Sequence, residues 1–229
     1  MREFDAFAGY PEPKEPRIVS PTLRTIENRI AASYRGREFY DGDRINGYGG
    51  MKDDGRWGPI AENVINHYGG AGFKVLQVGA HKGFLLHELF KRGMRVWGVE
   101  TSSYAALEAT DRSPTPPGIV TSFSELPFPT GFFDIVIATS VVYMQNLSGA
   151  IKTLKEIKRL TAPTGRSWVT LAAYEDENDL EGLMLLRYWL LLGTTILTKS
   201  DWIAVMHHAG FDGDYRFDTA KSLKLERST

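Results

Sequence analysis

This sequence predicts an α/β fold: a doubly wound, mostly parallel seven-stranded sheet with helices on both faces and an N-terminal arm. Three observations carry that prediction. The stretch Lys74–Leu89, KVLQVGAHKGFLLHEL, reads as a short apolar strand, a glycine turn and a helix with Leu85, Leu86, Leu89 and Phe90 on its inner side. From there to about residue 171, strand-like runs alternate with runs of helical period, the order that builds a parallel sheet. At 229 residues the chain is long enough for one full α/β domain with an extra arm.

Composition narrows the function classes. With 27 basic and 28 acidic residues, the formal charge is -1, and no basic groove for nucleic acid is apparent. The absence of cysteine removes disulfides, thiolate metal sites and thiol nucleophiles, and suits a cytoplasmic protein. Residues 1–30 carry charges and prolines rather than the apolar core of a signal peptide. The most apolar run, Leu183–Leu192, is interrupted by Arg187 and is too short to span a bilayer.

Along the chain, Pro11, Pro13, Pro16 and Pro21 argue for an extended arm. Thr22–Ser33 can form a helix with Leu23, Ile26 and Ile30 on one face. Tyr34–Pro59 has no clean period, and its glycines and aromatics read either as a long functional loop or as a flexible solvated linker whose aromatics cap the core. Pro59 suits the first turn of a helix through Tyr68. The predicted division is therefore an arm and glycine-aromatic lid at 1–58, followed by the main domain at 59–229.

In the organising turn, Gly79 lets the chain reverse and Gly83 lets helix and strand approach. Met94–Val99 is the next strand, and Glu100 places a carboxylate at its tip, suited to two ribose hydroxyls. A helix from Ser102 or Ser103 to about Thr110 and a connection over Ser113–Gly118 lead to a short strand at Ile119-Val120. Phe133–Ala138 is a buried strand, Ser148–Leu160 an amphipathic helix, and Ser167–Leu171 a strand rich in β-formers. Leu180–Leu192 reads as a buried helix and Trp202–Ala209 as a helix capped by Ser200-Asp201. Phe211–Phe217 completes an antiparallel tail with a closing hairpin.

A nicotinamide or flavin dehydrogenase would carry a third glycine in the middle of the turn to admit a pyrophosphate. Here the turn is Gly79-Ala80-His81-Lys82-Gly83, which fits a ligand without one. The strand, turn and acid, followed by Leu126-Pro127-Phe128 and by Phe133-Asp134 opening an apolar strand, resemble the class I S-adenosylmethionine (SAM) methyltransferases over about a hundred residues. A looser resemblance, carried by GYGGMKDDGRW, LLGTT, SDW and GFDGDY, is to a bacterial polysaccharide or natural-product subgroup. The family resemblance implies SAM as cofactor, with Gln77, Gly79, Ala80, His81, Gly83, Glu100, Thr101, Ser122, Phe123, Thr139, Ser140 and Trp57 around it. Gln77 stands where the family usually has an acid near the methionine ammonium. Ser122 stands where an acid commonly accepts from the adenine amino group.

Methyl transfer from a cationic sulfur needs mainly positioning and a dry site; an oxygen acceptor also needs a base. The candidates are Tyr143 and Tyr174 at strand ends, Asp53 and Asp54 on the loop, and His81. The expected lid is Gly47–Trp57, with Trp57 or Tyr48 over the cofactor and Asp53 or Asp54 near the acceptor. No metal site is expected, since His207-His208 point about 100° apart on a helix. The implied activity is O-methylation of a small polar acceptor, sugar-like rather than nucleic acid, with no membrane partner and homo-oligomerisation left open. A catalytically silent SAM-fold binding or assembly module is the alternative.

Overall fold

The computed structural model describes residues 1–110 and 116–228. Its elements are β1 (Arg17–Val19), α1 (Ile26–Ser33), α2 (Arg37–Asp41), α3 (Gly58–Tyr68), β2 (Lys74–Val78), α4 (Phe84–Lys91), β3 (Arg95–Glu100), α5 (Ser103–Glu108) and β4 (Gly118–Ile119). There follow β5 (Phe133–Ala138), a 3-10 turn at Val142–Met144, α6 (Leu147–Leu160), β6 (Thr161–Tyr174), α7 (Leu180–Trp189), β7 (Leu197–Thr198), α8 (Lys199–His208), β8 (Asp214–Asp218) and β9 (Leu225–Arg227). Seven strands form the main sheet in the order β4-β3-β2-β5-β6-β7, with β8 also paired to β6. The chain reverses its build direction between β2 and β5, at the centre of the sheet. A crevice at the carboxyl ends of those two strands is the expected ligand position in such sheets.

Alternation along the central strands supplies both cores. Leu76, Val78, Val136 and Ala138 face one cluster with Leu154 and Ile157 of α6 and Trp202 and Met206 of α8. Val75, Ile135 and Ile137 face the other, with Ile60 and Val64 of α3 and Leu85, Leu86 and Leu89 of α4. Phe90, expected on the same inner side, instead faces outward at the end of α4 and is 44% exposed. Both faces are therefore apolar, as parallel sheets covered by helices require. Turn chemistry sets the ends: Pro59 sits in the first turn of α3, and the Asn146 side chain accepts from Gly149 N–H at 2.9 Å to cap α6. The side chain of Thr198, not Ser200 or Asp201, caps α8 by accepting from Asp201 N–H at 3.0 Å.

The tail departs from expectation. Among the described residues all strand pairings are parallel, including β6 with β8 over Trp168–Ala172 and Asp214–Asp218, and none forms a closing hairpin. α8 crosses between these strands and returns the chain in the same direction. The predicted turn at 162–165 lies within β6, at a register irregularity between Phe133/Thr161 and Ile135/Arg166. The expected connection over 113–118 falls largely outside the described residues.

The proline-rich start is packed, although prolines argued for a free arm. β1 pairs in parallel with β9, Glu3 bridges Tyr215, and Trp168 donates its indole N–H to the Phe4 carbonyl at 2.9 Å. Phe4 also stacks on His67 with ring centroids 3.7 Å apart. α1 is shorter than predicted, and its expected inner face is outward: Leu23, Ile26 and Ile30 are 36%, 63% and 50% exposed. The side of this segment that engages the protein carries Arg24 and Arg29, whose guanidiniums donate to carbonyls of residues 187–191. Hydrogen bonding to backbone rather than apolar burial fixes this segment, which no hydrophobic pattern could announce.

Candidate functional site

The site grows from the turn after β2. Gly79 has φ +72°, and a Cβ there would stand 2.3 Å from Val141 Cγ2; both conformation and packing demand glycine. Gly83 has φ +75° and starts α4 against Ala109. His81 (φ 51°) and Ser140 (φ 58°) are left-handed without being glycine, on either side of the crevice. Such backbone persists where surrounding bonds hold it. His81 N–H donates to Glu100 Oε2 at 2.8 Å, and Ser140 N–H to Thr170 Oγ1 at 2.8 Å.

Glu100 ends β3 as predicted, but it is 1% exposed. Besides His81 N–H, its carboxylate accepts from Thr101 N–H (2.7 Å), Ser102 N–H (3.0 Å) and Thr101 Oγ1 (3.3 Å). Arg35 lies beside it, donating to Thr101 Oγ1 at 2.6 Å, while Ser102 Oγ donates to the Arg35 carbonyl at 2.5 Å. Gln77 is 2% exposed and its Oε1 has no hydrogen-bond partner, although its Nε2 lies 3.5 Å from the Gly79 carbonyl. An orphaned buried acceptor costs roughly 1–3 kcal/mol. An acceptor oxygen in need of a donor, at the position the resemblance assigns to the methionine ammonium, fits SAM.

The bulky residues of the turn hold the N-terminal segment over it. Lys82, 6% exposed, bonds both oxygens of Asp41 at 2.8 and 3.0 Å, and Tyr104 O–H donates to the same carboxylate at 2.7 Å. Burial pushes the Asp41 carboxyl up, but these bonds outweigh it and leave the pKa below its ordinary value. Tyr40 and Tyr48 stack with centroids 5.7 Å apart, and both contact the His81 ring edge-on. The Tyr40 hydroxyl lies 3.3 Å from His81 Nδ1. The loop is pinned to α2 through Tyr48 N–H to the Phe39 carbonyl at 2.8 Å and through Gly50 and Met51 N–H to the Tyr40 carbonyl.

Two adjoining cavities open on this crevice, sharing Met144, Leu191, Leu192 and Gly193. The smaller, about 560 Å³, is lined by Thr101, Ser122 and Phe123 among the predicted cofactor residues. The larger, about 650 Å³, is lined by His81, Thr139, Ser140, Tyr143 and Trp57. Gln77, Gly79, Ala80, Gly83 and Glu100 lie beneath, lining neither cavity. Of the proposed bases, Asp53 and Asp54 are exposed and Tyr174 is half-buried, and none of the three lines a cavity. Asp54 instead pairs with Arg56.

Burial drives the remaining candidates toward neutrality. Tyr143, 4% exposed, has its phenol pushed well above the ordinary tyrosine value by burial. It can donate a hydrogen bond but does not serve as a base. Burial lowers the His81 pKa, with Glu100 opposing and Arg35 reinforcing the shift. His81 is thus a neutral imidazole facing the larger cavity. The sequence reading missed Asp218, Arg17, Arg24 and Arg44, which also line that cavity. They are scattered over residues 17–218, and no local motif joins them. Among the described residues, no group of three His, Cys, Asp or Glu could hold a metal ion. No helix among the described residues is long and apolar enough to cross a membrane.

The sheet order, the glycine turn and the acid at the tip of β3 define a Rossmann-like methyltransferase fold. Residues 76–169 match the family model described as a methyltransferase domain, and the cofactor of that domain is SAM. Among solved structures, the chain resembles the YcgJ protein of Bacillus subtilis at 20% identity and TM-score 0.56, over 65% of this chain and 66% of that one. It also resembles geranyl diphosphate C-methyltransferase of Streptomyces coelicolor, solved with Mg²⁺, geranyl diphosphate and S-adenosyl-L-homocysteine. That match has 17% identity and TM-score 0.52, over 65% of this chain and 58% of that one. The chain therefore spans 66% and 58% of these two structures, less than two thirds of each. No curated protein matches it.

Proposed function

We propose that this chain transfers the methyl group of SAM to a hydroxyl of a small polar, sugar-like acceptor in the larger cavity. The observation that carries this reading is a neutral, half-buried imidazole on the wall of a cavity that adjoins the one lined by Thr101, Ser122 and Phe123. When bound, SAM supplies an electrophilic methyl on a cationic sulfur. Gln77 would meet its ammonium, Glu100 the ribose hydroxyls, and Ser122 and Phe123 the adenine. Because Glu100 is covered, ribose reaches it only if the segment bearing Arg35 and Tyr40 moves outward.

His81 would accept the hydroxyl proton as the acceptor oxygen takes the methyl and the carbon–sulfur bond breaks to leave a neutral thioether, and Tyr143 would orient that oxygen by donating to it. The Tyr40, Tyr48 and Trp57 rings keep water from the reacting atoms. Tritium transfer from methyl-labelled SAM to a panel of neutral and acidic sugars tests this reading. Labelled O-methyl product that disappears in His81→Gln supports it; SAM binding with no transfer to any of the panel would favour the silent binding module. The sealed state of Glu100 is what keeps that second reading in play.

A further inference from the structure

We propose that the acceptor carries a phosphoryl group, bound in the larger cavity by Arg17, Arg24 and Arg44 around the Trp189 ring. The proposal rests on reading that cavity as the acceptor site. The three guanidinium carbons lie 5.2, 4.2 and 5.5 Å from the centre of the same indole ring. All three residues line the cavity, and none of the three forms an ion pair among the described residues. They donate only to carbonyls: Arg24 to Trp189 and Arg44, Arg44 to Tyr48, and Arg17 to Leu223.

Carboxylates do line the same cavity, but each is already taken. Asp5 pairs with Arg216 at 2.8 Å, Asp218 pairs with Arg216, and Glu12 pairs with Lys224 at 2.6 Å. Arg24 is 7% exposed and its Nε has no partner, an orphaned donor on a buried cation. Burial lowers its pKa to about 10, and Arg44, Arg29 and Arg17 add repulsion. Stacking on Trp189 adds a cation–π attraction but supplies neither a counter-charge nor an acceptor for Nε. A bound anion supplies both the missing charge and the missing acceptors. Arginine's planar fork matches phosphate oxygens, and three cations suit a dianion better than a single carboxylate.

The cavity joins this cluster to His81 and Tyr143, so one acceptor molecule can place its phosphoryl group on the arginines and its hydroxyl at the imidazole. The test uses the full chain in phosphate-free buffer, titrated with inorganic phosphate, glucose 6-phosphate, glucuronate and glucose. Calorimetry gives affinity, and thermal unfolding gives an independent reading through linkage. Phosphate and glucose 6-phosphate are expected to bind and raise Tm, while glucose does neither.

Arg17→Gln and Arg44→Gln should each weaken glucose 6-phosphate at least tenfold while leaving SAM affinity within twofold. These two variants carry the test because Arg24→Gln removes buried bonds and can fail to fold. Equal phosphate binding by wild type and both variants would overturn the site. Binding of glucuronate in preference to both phosphates would overturn the phosphoryl assignment. SAM affinity separates the two readings: arginine-dependent phosphate binding without SAM binding defeats the methyltransferase reading alone.

Discussion

At the scale of single residues, the departures from the methyltransferase pattern have physical explanations. His81 and Lys82 make the turn bulky because they brace the segment above it: one lies beneath Tyr40 and Tyr48, the other grips Asp41. Gln77 retains an acceptor oxygen without a charge, and that oxygen is unpaired. Gln77→Met, similar in size but without the carboxamide, should therefore leave Tm unchanged or higher while weakening SAM about tenfold. Thermal unfolding and calorimetry on the same sample check both signs; parallel losses would mark Gln77 as structural. For His81, burial disfavours the imidazolium, so its folded-state pKa lies below the ordinary value of about 6.5. The neutral base is then fully present above that ordinary value and is lost only as pH falls through the lowered one. The acid limb of kcat/KM should lie below pH ~6.5; a limb at or above it would remove His81 as the base.

At the scale of elements, the central strands and their helices were legible because period-2 and period-3.6 patterns were imposed by burial on two faces. β2, β5, α4 and α6 fall within a residue or two of expectation at most ends. α2 was not legible: five residues, Arg37–Asp41, formed inside a glycine-rich loop and held by Lys82 from another element. The segment proposed as a lid is likewise a joint product of α2 and the loop after it, pinned by bonds to the Phe39 and Tyr40 carbonyls. Lys82→Met should leave Asp41 without its cation and speed proteolysis between residues 37 and 57 at least fivefold. Unchanged cleavage would mean that Lys82 does not hold the lid. The Asp41 anchor is present above the ordinary carboxylate pKa of about 3.9 and lost as pH falls through its lowered folded-state value. Cleavage between residues 37 and 57 by an acid-active protease should therefore rise below pH ~4 before the core melts.

At the scale of the whole molecule, the two ends of the chain close on each other. Glu3 and β1 add to the C-terminal strands, which brings Arg17, Arg24 and Arg44 over the crevice at the sheet's carboxyl edge. The cofactor half of the candidate site was readable because a strand, a turn and a strand-end acid are close in sequence. The acceptor half was not, because its residues converge only through tertiary packing of the arm, and because the arm's helix is fixed by arginine–carbonyl bonds. The same packing covers Glu100, so Glu100→Ala would disturb the turn as well as the ligand. Glu100→Gln keeps the size and one acceptor oxygen but turns an NH2 donor toward the N–H groups of the turn, so its thermal unfolding is read beside its SAM affinity. The most direct test of the account is calorimetric titration of SAM and NAD into wild type and Glu100→Gln. The account predicts saturable SAM binding to wild type, no NAD binding, and a loss of about 1–3 kcal/mol for SAM in the variant. NAD binding in preference to SAM, or SAM affinity unchanged by Glu100→Gln, would contradict it.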